Sequence, residues 1–169
     1  SFLLTPVDDH HADWHGSLEA YQNAKLNWVH HWDSAGIPNI QFRNLNFDHD
    51  LLNGKEPNLI GRHNLKNIHA VLSWLNVLKR SSASTTNACL NFKGLPHRLE
   101  LCFQSETLKC YNDSKATSPS ATLEALHSFK KIDLLILQGN LKDLDYSKLL
   151  KKAQEKCEMI WLVGGISEL

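Results

Sequence analysis

The chain has 169 residues, 42% of them hydrophobic, and its 18 basic side chains balance 18 acidic ones. That length holds one domain or two small ones, with the composition of an ordinary soluble globular protein. A formal net charge of zero argues against nucleic acid or a membrane surface as the main partner, because both draw on a basic excess.

The opening, Ser1 to Val7, is too short for a membrane span and has no basic flank of a signal peptide. It reads as the end of a buried strand cut from a longer chain. Ser17 can cap a helix, and Leu18, Tyr21, Lys25, Leu26, Val29 and Trp32 fall at helical spacing. A helix is therefore expected from Leu18 to about Trp32, broken at Ser34 to Pro38. From Ile40 to Leu59, short apolar runs alternate with Asn, Asp and Gly, as in strands or hairpins joined by turns.

Ile68, Val71, Leu72, Leu75 and Leu78 mark a second amphipathic helix from Asn64, closed by Lys79 and Arg80 against the dipole. Ser81 to Asn87 is small and polar and reads as a connection, with a domain boundary between it and Gly94. Beyond it the pattern predicts strands at Leu99 to Phe103 and Leu108 to Tyr111 and a helix at Pro119 to Phe129. A strand at Leu134 to Leu137, a helix at Tyr146 to Lys156 and a strand at Met159 to Val163 follow. Such alternation favours a parallel sheet with helices on its faces. The last strand runs into Gly164 and Gly165, a turn that in open α/β sheets leads into a further helix. Cys89, Cys102, Cys110 and Cys157 show no metal-type spacing and read as reduced thiols of a cytosolic protein.

Tyr111-Asn112-Asp113-Ser114-Lys115-Ala116-Thr117 lies where a strand ends and a helix begins, the ligand-facing edge of an α/β sheet. A lysine, a carboxylate and two hydroxyls near a helix N-terminus suit an anion. The plainer reading is a solvated turn with Asp and Ser as caps. Upstream stand Gly94-Leu95-Pro96-His97-Arg98-Leu99-Glu100 and Gly61-Arg62-His63-Asn64-Leu65-Lys66-Asn67.

In that order and separation, the three segments resemble the Mur ligases, in particular their D-glutamate-adding branch, over nearly the whole chain. Asp13 to Ser17 followed by Tyr21-Gln22-Asn23-Ala24-Lys25-Leu26 is similar to the family's central ATPase domain. The resemblance implies an α/β architecture. Residues 1–91 would be the end of a P-loop-type ATPase domain, and residues 92–169 the first part of a Rossmann-like C-terminal domain with a parallel sheet. It further implies a cytoplasmic, monomeric ligase using ATP and Mg²⁺ to join D-glutamate to UDP-N-acetylmuramoyl-L-alanine through an acyl phosphate.

By the same resemblance, His11 and Lys25 are metal ligands and catalytic groups, Lys25 as a carbamate whose anionic oxygen suits Mg²⁺. Asn64 and Asn67 meet the adenine, Arg98 a phosphate and Asp113 the ribose. Ser114, Lys115 and Thr117 face the reacting carboxylate and the incoming amino acid, with Lys115 also catalytic. Lys142 binds the side-chain carboxylate of D-glutamate. Taken alone, Lys25 is an ordinary helix lysine and Asn64 a helix cap, while His10, His11 and His15 invite a transition-metal site.

The chain departs from the family at His10, where an Asp is usual, at Ser118, an Asn, at Asn140, an Asp, and at Gln138, the first of two glycines. A side chain at 138 is expected to narrow the approach to the nucleotide or shift the turn. The phosphate-binding run ending Gly-Lys-Thr does not occur in the chain, so this piece alone is expected to be inactive. The alternatives are a sister ligase adding another amino acid, and a nucleotide- or metal-binding module without catalysis.

Overall fold

A computed structural model describes residues 2–4, 12–47, 51–141 and 144–168. It divides into two compact units, Ser1–Pro57 with Leu65–Phe92, and Asn58–Asn64 with Lys93–Leu169. No helix among the described residues is long and apolar enough to cross a membrane.

In the first unit, β1 (Phe2–Leu4) pairs in parallel with β2 (Asn39–Gln41), and a short helix α1 (Ala12–His15) precedes α2 (Leu18–Ser34). Ser17 starts α2 as expected: its Oγ accepts from the Ala20 amide at 3.0 Å, satisfying a donor that has no partner inside the helix. Tyr21, Val29 and Trp32 turn inward, and Gly36 at φ +63° closes the helix exit. After β2 comes a 3₁₀ turn, Phe42–Asn44, and the described residues from there to Leu59 hold none of the further strands expected.

The next helix, α3 (Arg62–Val77), begins two residues before Asn64. Its buried stripe is Ile68, His69, Ala70 and Leu72, whereas Val71 faces water. The Phe47 ring lies 6.4 Å from that of His69, whose Nδ1 is buried without a hydrogen-bond partner. Lys79 and Arg80 also act otherwise than expected. Lys79 adopts φ +54° and donates its amide to the Asn76 carbonyl at 2.9 Å, and the Arg80 amide reaches the Leu75 carbonyl at 2.8 Å. That is a Schellman closure, so the backbone, not side-chain charge, ends the helix.

The expected connection from Ser81 to Asn87 is instead largely helical. Ser82 and Thr85 form a reciprocal capping box, and α4 (Ala83–Asn91) follows. Two orphan donors satisfied in one turn outweigh the weak helix propensity of Ser and Thr.

In the second unit, β3 (Glu100–Gln104) and β4 (Lys109–Asn112) pair antiparallel, with a bulge between Leu101 and Phe103. The expected parallel arrangement fails here for want of chain. Only Ser105 to Leu108 separate the strands, and a parallel crossover needs a dozen residues or more. The parallel expectation does hold for β5 (Ile132–Gln138) and β6 (Cys157–Val163), whose register runs from Ile132↔Cys157 to Gln138↔Val163.

α5 (Pro119–His127) and α6 (Ser147–Lys156) supply Leu126, Leu149 and Ala153 to the core beneath that sheet, where Leu137 and Ile166 are also buried. Leu149 and Ala153 are four apart and so share a helix face. Lys156 donates its ammonium to the carbonyls of Leu126 and Phe129, closing the end of α5. The opposite sheet face, with Leu134, Ile136, Met159 and Trp161, is exposed.

Candidate functional site

In the second unit, the Gly94 to Glu100 and Tyr111 to Thr117 segments come together, with Gly61 to Asn64 in the same unit. β4 ends at Asn112, whose side-chain Oδ1 accepts from the Ser114 amide at 3.0 Å. The turn continues with the Ala116 amide on the Asp113 carbonyl at 2.8 Å and reaches Ser118, the cap of α5. The Ser118 Oγ accepts from the Ala121 amide at 3.2 Å, so the residue that departs from the family pattern serves as a helix cap.

The facing loop, Gly94 to Leu99, carries Arg98 between two left-handed residues, His97 at φ +65° and Leu99 at φ +44°. A leucine in that region is strained, so other bonds must hold it. The Asp113 carboxylate accepts from the Leu99 amide at 2.9 Å. The His97 carbonyl accepts from the Lys115 amide at 3.1 Å, and the His97 amide donates to Glu100 at 2.8 Å. His97 Nδ1 lies 2.9 Å from Asn112 Nδ2. Arg98, Ser114, Lys115 and Thr117 are exposed, whereas Asp113 is half-buried.

Burial pushes the Asp113 carboxyl above its ordinary value, opposed by the Leu99 amide bond and by the positive charges of His63 and Arg98. Burial likewise pulls His63 below its ordinary value, against the attraction of Glu124 and Asp113. His63 Nδ1 is buried without a hydrogen-bond partner. Gly61, at φ +96°, stands so close that an added Cβ would sit 2.3 Å from Ser128 Oγ and 2.8 Å from the His63 ring. No side chain fits there without movement.

Asn64 turns its amide back onto the Ile60 carbonyl at 2.8 Å. It lies inside α3 rather than capping it. Asn67, one turn further on the same helix, is exposed.

In the first unit, Lys25 is exposed on α2 with Nζ 5.7 Å from the centre of the Tyr21 ring, and His15 lies 5.2 Å from that ring on centroids. A cation over an aromatic face is attracted by the ring quadrupole. His10, His11 and Lys142 lie outside the described residues. Among those described, no three His, Cys, Asp or Glu side chains form a group that could hold a metal ion.

Gln138 ends β5 opposite Val163 with its side chain exposed, and the positive φ falls on Gly139. The departure from glycine at 138 thus falls in extended strand, one residue before the turn. Gly164 and Gly165 pack closely on Gly139 and Asn140, so the two strand ends meet glycine to glycine. His63, His97 and Asn112 lie inside the quoted segments but were assigned no role from sequence. The contacts that join His97 to Asn112 and His63 to Asp113 and Glu124 span 15 or more positions, and spacing along the chain carries no such signal.

No protein-family model matches the chain. Among curated proteins it is 30% identical over 181 residues to the UDP-N-acetylmuramoylalanine--D-glutamate ligase of Fervidobacterium nodosum, covering 98% of this chain and 43% of that relative. To the protein of the same name from a Thermotoga species it is 31% identical over 193 residues, covering 99% and 45%. A third, from Clostridium botulinum, is 36% identical over 115 residues, covering 68% and 25%. The chain spans less than half the length of these curated relatives.

Proposed function

The chain belongs to the Mur ligase family, and we propose that it is part of an ATP-dependent ligase joining D-glutamate to UDP-N-acetylmuramoyl-L-alanine in peptidoglycan synthesis. Supporting this reading are the relatives' names and one arrangement: an exposed arginine and an exposed lysine, Arg98 and Lys115, on facing loops bonded to each other.

Arg98 is assigned to a phosphate of ATP, for which an always-charged fork of donors is suited. Asn64 and Asn67 are assigned to the base and Asp113 to the ribose. Asp113 reaches the ribose through the oxygen that does not accept from Leu99. In the proposed reaction, the carboxylate of UDP-N-acetylmuramoyl-L-alanine attacks the γ-phosphate, giving ADP and an acyl phosphate. The D-glutamate amine then adds to the acyl carbon and phosphate leaves. Lys115 supplies fixed positive charge beside the negative oxygens that develop, with Ser114 and Thr117 as donors. Lys142 pairs with the D-glutamate side chain.

Magnesium offsets charge between the reacting anions when bound, and His11 with Lys25 is the pair assigned to it. Lys25 fits that task only as a carbamate, after leaving the Tyr21 ring. These assignments place residues 1–91 in a P-loop-type ATPase domain and 92–169 in a Rossmann-like one. The chain as given carries no Gly-Lys-Thr run, and it is expected not to turn over alone.

The test is phosphate release by the full-length enzyme. Release requiring both UDP-N-acetylmuramoyl-L-alanine and D-glutamate supports the reading. Release with L-lysine in place of D-glutamate points to a sister ligase, and binding of nucleotide without release points to a non-catalytic module.

A further inference from the structure

Arg98 and Lys115 lie on separate loops, and the same residue touches both loops. His97 adjoins Arg98 in sequence, its carbonyl holds the Lys115 amide at 3.1 Å, and its ring holds Asn112 at 2.9 Å. The direction of the ring bond follows from a second one. Asn112 Oδ1 already accepts from the Ser114 amide at 3.0 Å, so the amide cannot be turned over without stranding that donor. Asn112 Nδ2 therefore faces the ring, and Nδ2 only donates. His97 Nδ1 must accept, which fixes a neutral imidazole carrying its proton on Nε2.

We propose that His97 is a positioning residue: as the Nε2–H tautomer, it locks the Arg98 loop to the Asn112–Lys115 turn. The two cations are thereby held in one arrangement before substrate arrives. The left-handed backbone at His97 belongs to the same device. At φ +65° the carbonyl and the side chain of one residue both reach the neighbouring turn. The Glu100 carboxylate bonds the His97 amide at 2.8 Å and stands 3.9 Å from Nδ1. It holds the residue's main chain while leaving the shorter ring contact to Asn112.

The role of Arg98 and Lys115 as substrate-binding cations rests on the proposed ligase function, whereas the tautomer does not. Two measurements on the full-length enzyme separate them. Nitrogen NMR of histidine-labelled enzyme, with the His97 signal assigned by its loss in His97→Asn, is expected to show Nδ1 as the unprotonated ring nitrogen at pH 8. A proton on Nδ1 would overturn the proposal whatever the enzyme's activity.

Kinetics then use three variants chosen for their backbone. His97→Gly accepts φ +65° without strain but has no acceptor, and kcat/KM for ATP should fall roughly ten-fold, the scale of one lost hydrogen bond. His97→Asn tolerates the left-handed region and puts an amide oxygen near the place of Nδ1. It should recover activity to within about two-fold of the natural enzyme, the tenths of a kcal/mol left when one neutral acceptor replaces another. His97→Ala, lacking both, should lose at least as much as His97→Gly. A His97→Gly enzyme as active as the natural one would show that the ring bond positions nothing. Failure of His97→Asn to recover above His97→Gly would do the same. Absence of turnover in the natural enzyme with D-glutamate would instead sink the ligase reading, leaving the tautomer result standing.

Discussion

Two parts of the second unit hold together by different physics. The β5–α6–β6 segment follows regular rules: alternate strand residues turn to one side, Leu149 and Ala153 recur on one helix face, and the result is a closed apolar core. The hairpin β3–β4 with its flanking loops has a bulge, two left-handed non-glycine residues and exposed apolar side chains, Leu101 and Phe103 among them. Its order comes from single polar bonds, Asp113 to Leu99, Asn112 to His97 and Lys115 to His97. The candidate ligand-binding residues lie on this second kind of structure. Polar groups committed to the backbone can be aimed at a ligand with accuracy, but strained backbone and half-buried charge lower stability.

The largest effect should come from the apolar core. Leu149 is 2% exposed, and Leu149→Ala should cost about 2–4 kcal/mol. Leu101→Ala, on an exposed hairpin position, should stay within about 0.5 kcal/mol. Urea unfolding followed by Trp161 fluorescence would measure both, and equal losses would erase the contrast.

A smaller effect is expected at Gly61, beside the end of α5. Gly61→Ala forces φ +96° on a residue with a Cβ and drives it against Ser128 and His63. It should cost roughly 1–3 kcal/mol. Adding Ser128→Gly removes one clash but not the backbone strain, so thermal melting should show partial recovery. Full recovery would assign the whole effect to the side-chain clash.

The smallest effects are electrostatic and sharpen the comparison by sign. His63 has its folded pKa lowered from 6.5, so the unfolded chain binds its proton more tightly. Its contribution is fully present above that value and is lost as pH falls below about 6.5. Asp113 has its folded pKa raised from 3.8, the reverse case. Its ionised form destabilises the fold, and the penalty disappears as pH falls towards 3.8. Asp113→Asn, which keeps an oxygen for the Leu99 amide, should therefore stabilise the protein at pH 7. The gain should be about 0.5 kcal/mol or less, because the half-buried carboxyl remains partly open to solvent screening, and it should vanish near pH 4. The same substitution should weaken ATP binding in the full-length enzyme. Unfolding midpoints of both proteins across pH 4 to 8 would test the sign, and a loss of stability at pH 7 would reverse it.

Regular segments were legible in the sequence because their signals are local. Ser17 before a 3.6-residue period marked α2, and the apolar run from Leu134 with the later run to Val163 marked two strands. α4 was missed because small polar residues read as a connection, although Ser82 and Thr85 carry the spacing of a capping box. The end of α3 falls near Lys79 and Arg80 as expected, but what closes it, a lysine at φ +54°, is a backbone event that residue type does not announce.

What the sequence by itself determined is a matter of period, caps and motif order: α2, α3, α5, α6 and the strands β3 to β6, and three segments whose spacing resembles one ligase family. Only the tertiary structure decided that β3 and β4 pair antiparallel, that Val71 faces water while His69 is buried, and that Asp113 and Asn64 already serve the backbone. It also decided that His97 meets Asn112. The division has one cause. Periodicity and capping act within a few residues, but desolvation, strand pairing and hydrogen-bond direction depend on groups brought together from distant positions.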